Sequence, residues 1–177
     1  VSSLSKGSKD EESLQTHLRS LFWPYYERPE EFRDLTVLQS DVTHTVKRYS
    51  EKLAERMYVA IPNHPISSNK PLDVGYEFSH INLCTGQGKW SLPLSIQRVK
   101  LDQTANECVL DQLQELFSAP ELKLGAEKLV VNTLDSAYGT GAYLAPSYAH
   151  DNLVNVARLR KRNSHLLGSK WELRNID

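Results

Sequence analysis

Two short apolar runs in this chain each end on an aspartate. Asp41 follows the run Leu35–Ser40, and Asp135 follows the run Lys128–Leu134. Runs of this length that are rich in Val, Leu and Thr are typical of strands. We therefore expect both aspartates to project from strand ends, where residues far apart in sequence can converge. Converging carboxylates bind the hard cations used in phosphodiester chemistry, because Mg²⁺ prefers oxygen ligands.

Length and composition predict one soluble globular domain. The chain has 177 residues, of which 40% are hydrophobic and 24% are charged. No apolar stretch approaches the roughly 20 residues of a membrane span, so a membrane protein is not expected. The N-terminus lacks a basic-then-apolar signal pattern, which predicts a cytoplasmic setting. The two cysteines, Cys84 and Cys108, are too few for a disulfide framework or zinc site and are interpreted as reduced thiols.

Hydrophobic periodicity predicts an alternation of strands and helices. Residues 43–73 show no clean period and carry turn signals, so we expect a long surface excursion that faces a substrate. The elements expected on either side of it are, in order, a helix over Ser13–Tyr26, a strand over Leu35–Val42, a hairpin formed by Val74–Ser79 and Trp90–Ile96, a helix over Cys108–Phe117, a strand over Lys128–Leu134, a short helix over Gly141–Tyr148 and a strand over Leu153–Leu159.

This order predicts an α/β fold of the RNase H-like type. In such a fold, antiparallel hairpin strands and parallel strands share one mixed sheet with flanking helices. The first strand and the strand after the helix lie side by side, which would bring Asp41 and Asp135 to the same sheet edge. We divide the chain into an N-terminal helical segment (1–34), a partial catalytic core (35–167), and a basic tail or the start of an inserted subdomain (168–177).

Several short motifs occur in order along the core region. They are Asp41-Val42-Thr43, Tyr58-Val59-Ala60-Ile61-Pro62-Asn63, Ser68-Asn69-Lys70-Pro71 leading into Val74–Ser79, Trp90-Ser91-Leu92-Pro93-Leu94-Ser95, Leu134-Asp135-Ser136-Ala137-Tyr138-Gly139 and Val156-Ala157-Arg158-Leu159-Arg160. Together they resemble the catalytic domain of bacterial insertion-sequence transposases of the DDE superfamily. The resemblance covers residues 35–167.

This resemblance implies metal-dependent cleavage and strand transfer of DNA during transposition. Two Mg²⁺ (or Mn²⁺) ions would be bound, with Asp41 bridging both and Asp135 binding one. Transposon ends and target DNA would be the partners, and a homo-oligomer is expected. The family takes its third acid from a later helix. Glu172 is the candidate within the chain, Asp151 is a poorer one, and an acid beyond the chain is the alternative.

Clustered basic residues are candidates for DNA contact, because Lys and Arg neutralise phosphates. The alternative for each is an ordinary solvated side chain. The candidates are Lys47, Arg48, Lys70, Arg158, Arg160, Lys161 and Arg162. Two other features have simpler interpretations. His44 is expected to pack or turn, since Mg²⁺ avoids imidazole, and Trp23, Tyr25 and Tyr26 are expected to anchor the N-terminal helix on the core.

Three functions stay open at the level of sequence. The chain is a DDE transposase catalytic domain or a fragment of one. Alternatively, it is a shortened, non-catalytic DNA-binding or assembly module derived from such an enzyme. The third possibility is another RNase H-like nuclease that acts on RNA hybrids. An acidic pair without its third carboxylate fits the first two equally.

Overall fold

The computed structural model describes residues 15–158, except for 18, 27, 48, 51, 61–71 and 87–89. Six strands form one mixed sheet. Their bounds are β1 Thr36–Val46, β2 Met57–Ala60, β3 Leu72–Cys84, β4 Ser91–Arg98, β5 Val130–Leu134 and β6 Leu153–Ala157. The strand order is β2-β3-β1-β5-β6, and β4 also pairs with β3.

The antiparallel half of the sheet is built on the long strand β3. One edge of β3 pairs with β1, from Gly75 opposite Val46 to Leu83 opposite Leu38. The other edge pairs with β4 and, further along, with β2. Gly75 is required in this arrangement, because a Cβ atom there would overlap the backbone carbonyl of Thr45 on β1.

The parallel half consists of β1, β5 and β6. Thr36 to Ser40 of β1 pair with Val130 to Leu134 of β5, and the same β5 residues pair with Leu153 to Ala157 of β6. Parallel neighbours need crossover connections, which are usually helical. Helix α1 (Ala105–Ser118) precedes β5, and helix α2 (Gly141–Ser147) joins β5 to β6.

This topology confirms the predicted α/β fold with an RNase H-like strand order. The strands β1, β3 and β4 are antiparallel and consecutive in the sheet, a helix follows, and two parallel strands with a helix between them complete it. The predicted hairpin, the helix after it and the last two strands are all observed. Their ends differ from the expected ends by a few residues.

Helix α1 shows why its position could be predicted. The Thr104 hydroxyl accepts a hydrogen bond from the Glu107 backbone N–H, and the Glu107 carboxylate accepts one from the Thr104 backbone N–H. This capping box satisfies N–H groups that lack a partner within the helix. The buried face of α1 includes Val109, Leu113 and Leu116. The helix ends at Ser118, two residues before Pro120.

Helix α1 packs on the face of the sheet that carries the core. The buried core residues are Leu38, Ile81, Leu83, Leu94, Val109, Leu113, Leu116, Leu122, Leu124, Val130, Leu134, Tyr138, Tyr143 and Leu153. Residues 15–17 and 19–22 are helical and attach to α1 through Arg19, whose guanidinium lies 2.6 Å from the Glu115 carboxylate. As expected, Trp23 and Tyr26 pack against the core, with their rings stacked 5.5 Å apart.

Two predicted features of the antiparallel half were wrong. Strand β1 does not end near Val42 but continues to Val46, because residues 42–46 pair with β3. The predicted excursion contains strand β2, which extends the sheet along β3. Local sequence shows neither feature, since both depend on pairing with β3. None of the helices among the described residues has the length and apolar character needed to cross a membrane.

Candidate active site

The two aspartates occupy matching positions on neighbouring parallel strands. The last paired residues of β1 and β5 are Ser40 and Leu134, and Asp41 and Asp135 come immediately after them. Asp135 therefore follows a strand end, as predicted. The prediction that Asp41 ends its strand was wrong, since it is the sixth of the eleven residues of β1. It marks the end of the parallel pairing instead.

Asp41 belongs to the sheet face opposite the core. Along β1, Leu38 and Ser40 are buried, while Gln39 between them is exposed. On β5, Asn132 and Leu134 are buried in the same way. Because side chains alternate between the two faces of a strand, Asp41 shares the face of Gln39. Asp41 is half-buried and Asp135 is exposed, so solvent and ligands reach this edge.

Each aspartate also makes a local hydrogen bond. Asp41 Oδ1 accepts one from the Val42 N–H at 2.8 Å, and Asp135 Oδ1 accepts one from the Ala137 N–H at 2.7 Å. The second bond is the turn-forming role typical of an aspartate after a strand. It uses one of about four lone-pair positions of a carboxylate, so cation binding remains chemically open. Within the described residues, neither carboxylate forms an ion pair with a basic side chain.

Arg158 is the basic candidate that the fold brings to this edge. Ala157 is the last paired residue of β6 and lies opposite Leu134. Arg158 therefore follows the pairing on β6 as Asp135 does on β5 and Asp41 does on β1. It is exposed. Lys47 is also exposed, but it follows the far end of β1. At about 3.3 Å per residue, its Cα lies roughly 20 Å from that of Asp41.

The third acid is not identified. Glu172 lies outside the described residues, as do Arg48, Lys70, Arg160, Lys161 and Arg162. Asp151 is in the turn that precedes β6, at the opposite end of the parallel strands from Asp135. In the part of the chain that the structure describes, no group of three or more His, Cys, Asp or Glu side chains is arranged to hold a metal ion.

Tyr138 is a residue of this edge that sequence reasoning did not select. Its side chain is 1% exposed, and its hydroxyl has no hydrogen-bond partner. Burial raises the pKa of Tyr138, and the negative charges of Asp41, Asp135 and Glu77 raise that pKa further. Tyr138 belongs to the motif Leu134–Gly139, but nothing local indicated that its hydroxyl would be buried without a partner.

A buried polar network lies under the two aspartates. Ser40 donates to Asn132 Oδ1 at 2.9 Å, and Asn132 Nδ2 donates to the Tyr143 hydroxyl at 2.9 Å. The Tyr143 hydroxyl in turn donates to Asn155 Oδ1 at 3.1 Å. These bonds link β1, β5, α2 and β6, so they hold in register the strands that carry the carboxylates. An Asn in the middle of an apolar run was the available sequence signal.

His44 lies within strand β1, so it does not have the turn role that was one of the two expectations. It lies opposite Glu77 in the pairing of β1 with β3, and its Nε2 is 3.4 Å from the Glu77 carboxylate. Gly141 begins α2, and Gly139 is buried in the turn that leads to it. Cys84 and Cys108 are both free thiols, as predicted.

Comparison with known proteins yields distant similarity in structure alone. No protein-family model matches the chain, and no curated protein matches it. A chain from the crystal structure of the Mos1 strand transfer complex is similar at 14% sequence identity, with a TM-score of 0.36. The similarity covers 82% of the present chain and 40% of that chain, so the present chain spans less than half of the Mos1 chain's length.

Proposed function

We propose that this chain is the catalytic core, or part of the core, of a DDE-type DNA transposase. The activity would be metal-dependent phosphodiester cleavage and strand transfer. The observation that carries the proposal is the pairing of β1 with β5, which makes Asp41 and Asp135 neighbours at one sheet edge. The ordered motifs across residues 35–167 resemble those of insertion-sequence transposases and support the same function.

The acidic pair is suited to Mg²⁺ or Mn²⁺. Mg²⁺ commonly retains several waters and is bound by only one or two carboxylates together with substrate phosphates. Asp41 and Asp135 supply two such carboxylates at one edge of the sheet. A bound cation would activate the attacking water or 3′ hydroxyl and stabilise the leaving oxygen. Glu172, or an acid outside this sequence, is the proposed third ligand.

DNA is the proposed partner because a basic side chain, that of Arg158, follows the end of the strand next to the acidic pair. Arg158 and Asp135 each follow the last paired residue of adjacent strands. A DNA phosphate bound near the metal would therefore be within reach of the Arg158 side chain. Lys47, Arg48, Lys70, Arg160, Lys161 and Arg162 are proposed to contact the backbone elsewhere along the duplex. Such contacts predict binding that weakens steeply with salt, by a log–log slope of about 0.9 per phosphate.

The test is to neutralise each aspartate and measure Mn²⁺ binding and Mn²⁺-dependent nicking of transposon-end DNA. Asp41→Asn and Asp135→Asn keep side-chain shape but remove a ligand charge, and we expect each to weaken Mn²⁺ binding at least about 10-fold. Asp151→Asn is the matched control, since Asp151 is exposed at the other end of the parallel strands. If all three variants bind and nick like wild type, the proposed site is wrong.

A non-catalytic DNA-binding module is the second candidate. The observation that favours it is the lack of a third metal-ligating side chain near the aspartates in the described residues. This version predicts DNA binding that falls steeply with salt and does not respond to Mn²⁺. Nicking of DNA that requires Mn²⁺ and Asp41 would exclude it. Preferential cleavage of an RNA–DNA hybrid over duplex DNA would instead indicate the related nuclease activity.

A further inference from the structure

His80 lies beside Asp41 on the neighbouring strand. The antiparallel pairing of β1 with β3 places the two residues directly opposite each other. Residues paired in this way share one face of the sheet, with Cβ atoms about 4.5–5.5 Å apart. On β3, Ser79 and Ile81 are buried, whereas His80 between them is half-buried. Because side chains alternate along a strand, His80 shares the face of Asp41, opposite the core.

A hydrogen bond from Asn82 selects the tautomer of the His80 ring. Asn82 Nδ2 lies 3.2 Å from His80 Nδ1, and an amide nitrogen donates but does not accept. Nδ1 is therefore the acceptor, so in the neutral ring the hydrogen is on Nε2. Among the residues that the structure describes, His80 Nε2 has no hydrogen-bond or ion-pair partner. The ring thus offers one N–H donor beside Asp41.

We propose that His80 is a substrate-binding residue, whose Nε2–H donates a hydrogen bond to a DNA phosphate oxygen held beside Asp41. The proposal rests on the metal site of the proposed function and adds a DNA contact to it. A hydrogen bond to an ionised oxygen is stronger than one between neutral groups. Within the described part of the chain, His80 and Asp41 are not bonded to each other. The ring can therefore bind a phosphate whose metal is bound by the carboxylate.

His44 provides a comparison within the same sheet. It lies three positions after Asp41 on β1, so its side chain is on the other face. There its Nε2 is 3.4 Å from the Glu77 carboxylate, a partner within the protein. The Nε2 of His80 is the one left for a ligand. A purely structural His80 would instead affect folding and leave DNA affinity unchanged, as is expected of His44.

The first measurement is the tautomer of His80 in the 177-residue chain. Nitrogen–proton correlation NMR of the isotope-labelled protein, at mildly alkaline pH and without metal or DNA, reports which ring nitrogen carries the hydrogen. We expect the hydrogen on Nε2 in the wild type and a mixture of tautomers in Asn82→Leu, which lacks the donor to Nδ1. A wild-type ring with its hydrogen on Nδ1 overturns the inference.

The second measurement is affinity for a short fluorescein-labelled DNA duplex with Mn²⁺, by fluorescence anisotropy at several salt concentrations. We expect His80→Leu to weaken binding about 10-fold at every salt concentration, because it removes a hydrogen bond to a charged oxygen. His80→Gln should keep most of the affinity, since its amide can donate from near the position of Nε2. The matched control His44→Leu should change affinity less than about twofold.

The salt dependence separates a neutral donor from a cation. Loss of a neutral donor releases no counterion, so His80→Leu should keep the wild-type log–log slope, whereas Arg158→Gln should reduce it by about 0.9. A reduction of about 0.9 in His80→Leu overturns the neutral-donor contact. Wild-type affinity in His80→Leu overturns the inference, and so does an equal loss in His44→Leu.

Two further variants keep the result interpretable. Thermal unfolding checks that each variant is folded, and if His80→Leu is not, His80→Thr takes its place with the same expected loss of affinity. Asp41→Asn tests the proposed function by itself. If Asp41→Asn nicks DNA like the wild type, the proposed metal site fails. If Asp41→Asn loses nicking while His80→Leu binds DNA normally, the metal site stands and only the role of His80 fails.

Discussion

Replacing Gln112 by Leu tests how helix α1 is held on the sheet. Gln112 is fully buried although it is polar, and it lies on the apolar face of α1. Its amide oxygen accepts from the Ser79 hydroxyl at 2.6 Å. Its Nε2 donates to the Ser79 carbonyl at 3.1 Å and to the Ser95 hydroxyl at 3.0 Å. One side chain therefore ties the helix to both β3 and β4.

The expected loss follows from these three hydrogen bonds. A buried hydrogen bond contributes a net of about 1 kcal/mol, and a hydroxyl left unpaired costs about 1–3 kcal/mol. Leu has nearly the volume of Gln, so cavity formation adds little. We expect Gln112→Leu to lower the free energy of unfolding by about 3 kcal/mol. For a domain of this size that corresponds to a fall in Tm of roughly 6–12 °C.

The assay is urea unfolding followed by circular dichroism, with two further variants. Gln114→Leu is the control on the same helix, because Gln114 is exposed, and it should change stability by less than about 0.5 kcal/mol. In Ser79→Ala/Gln112→Leu the unpaired hydroxyl is also removed, which should restore about 1–2 kcal/mol. If Gln112→Leu is as stable as Gln114→Leu, or the double variant restores nothing, the reasoning about this network is refuted.

Two smaller effects are also expected. Thr104→Ala should lower the free energy of unfolding by about 1 kcal/mol in urea unfolding, because it removes the hydroxyl that accepts from the Glu107 N–H. The bond from the backbone N–H of residue 104 to the Glu107 carboxylate, the main cause of the lowered pKa of Glu107, is kept in this variant, so most of the loss should persist at low pH. Unchanged stability would contradict this cap. Burial raises the pKa of Cys108 to about 11, so in Cys84→Ser it should react with a disulfide reagent at pH 8 only after denaturation. Equal rates for native and denatured protein would contradict its burial.

Local patterns were enough to predict most elements of the fold. Alternating residues predicted β3 and β4, and the apolar stripe of α1 predicted a helix that Pro120 limits. These patterns gave correct predictions because each pattern reflects which face of its own segment is buried. The same logic missed the extension of β1 to Val46 and the strand β2. Both exist because β3 is long enough to pair with them.

The residues of the candidate site were likewise predicted only in part from the sequence. Asp41, Asp135 and Arg158 were selected from sequence, and the fold places them in successive positions along one edge. Lys47 was selected with them but lies at the far end of β1. Gln112, Asn132 and Tyr138 were not selected, because a polar residue within an apolar pattern does not reveal its partner. The metal ion, the third acid and the DNA contacts stay predictions.

The sequence by itself determined the kinds and order of most elements, with β2 as the exception, and the residue types of the acidic pair. Those properties depend on residue types and spacing within short segments. Only the tertiary structure decided that Ser40 lies opposite Leu134, which makes Asp41 and Asp135 neighbours, and that the Tyr138 hydroxyl is enclosed without a partner. Register and burial arise from contacts between segments that are distant in sequence, so no local pattern encodes them.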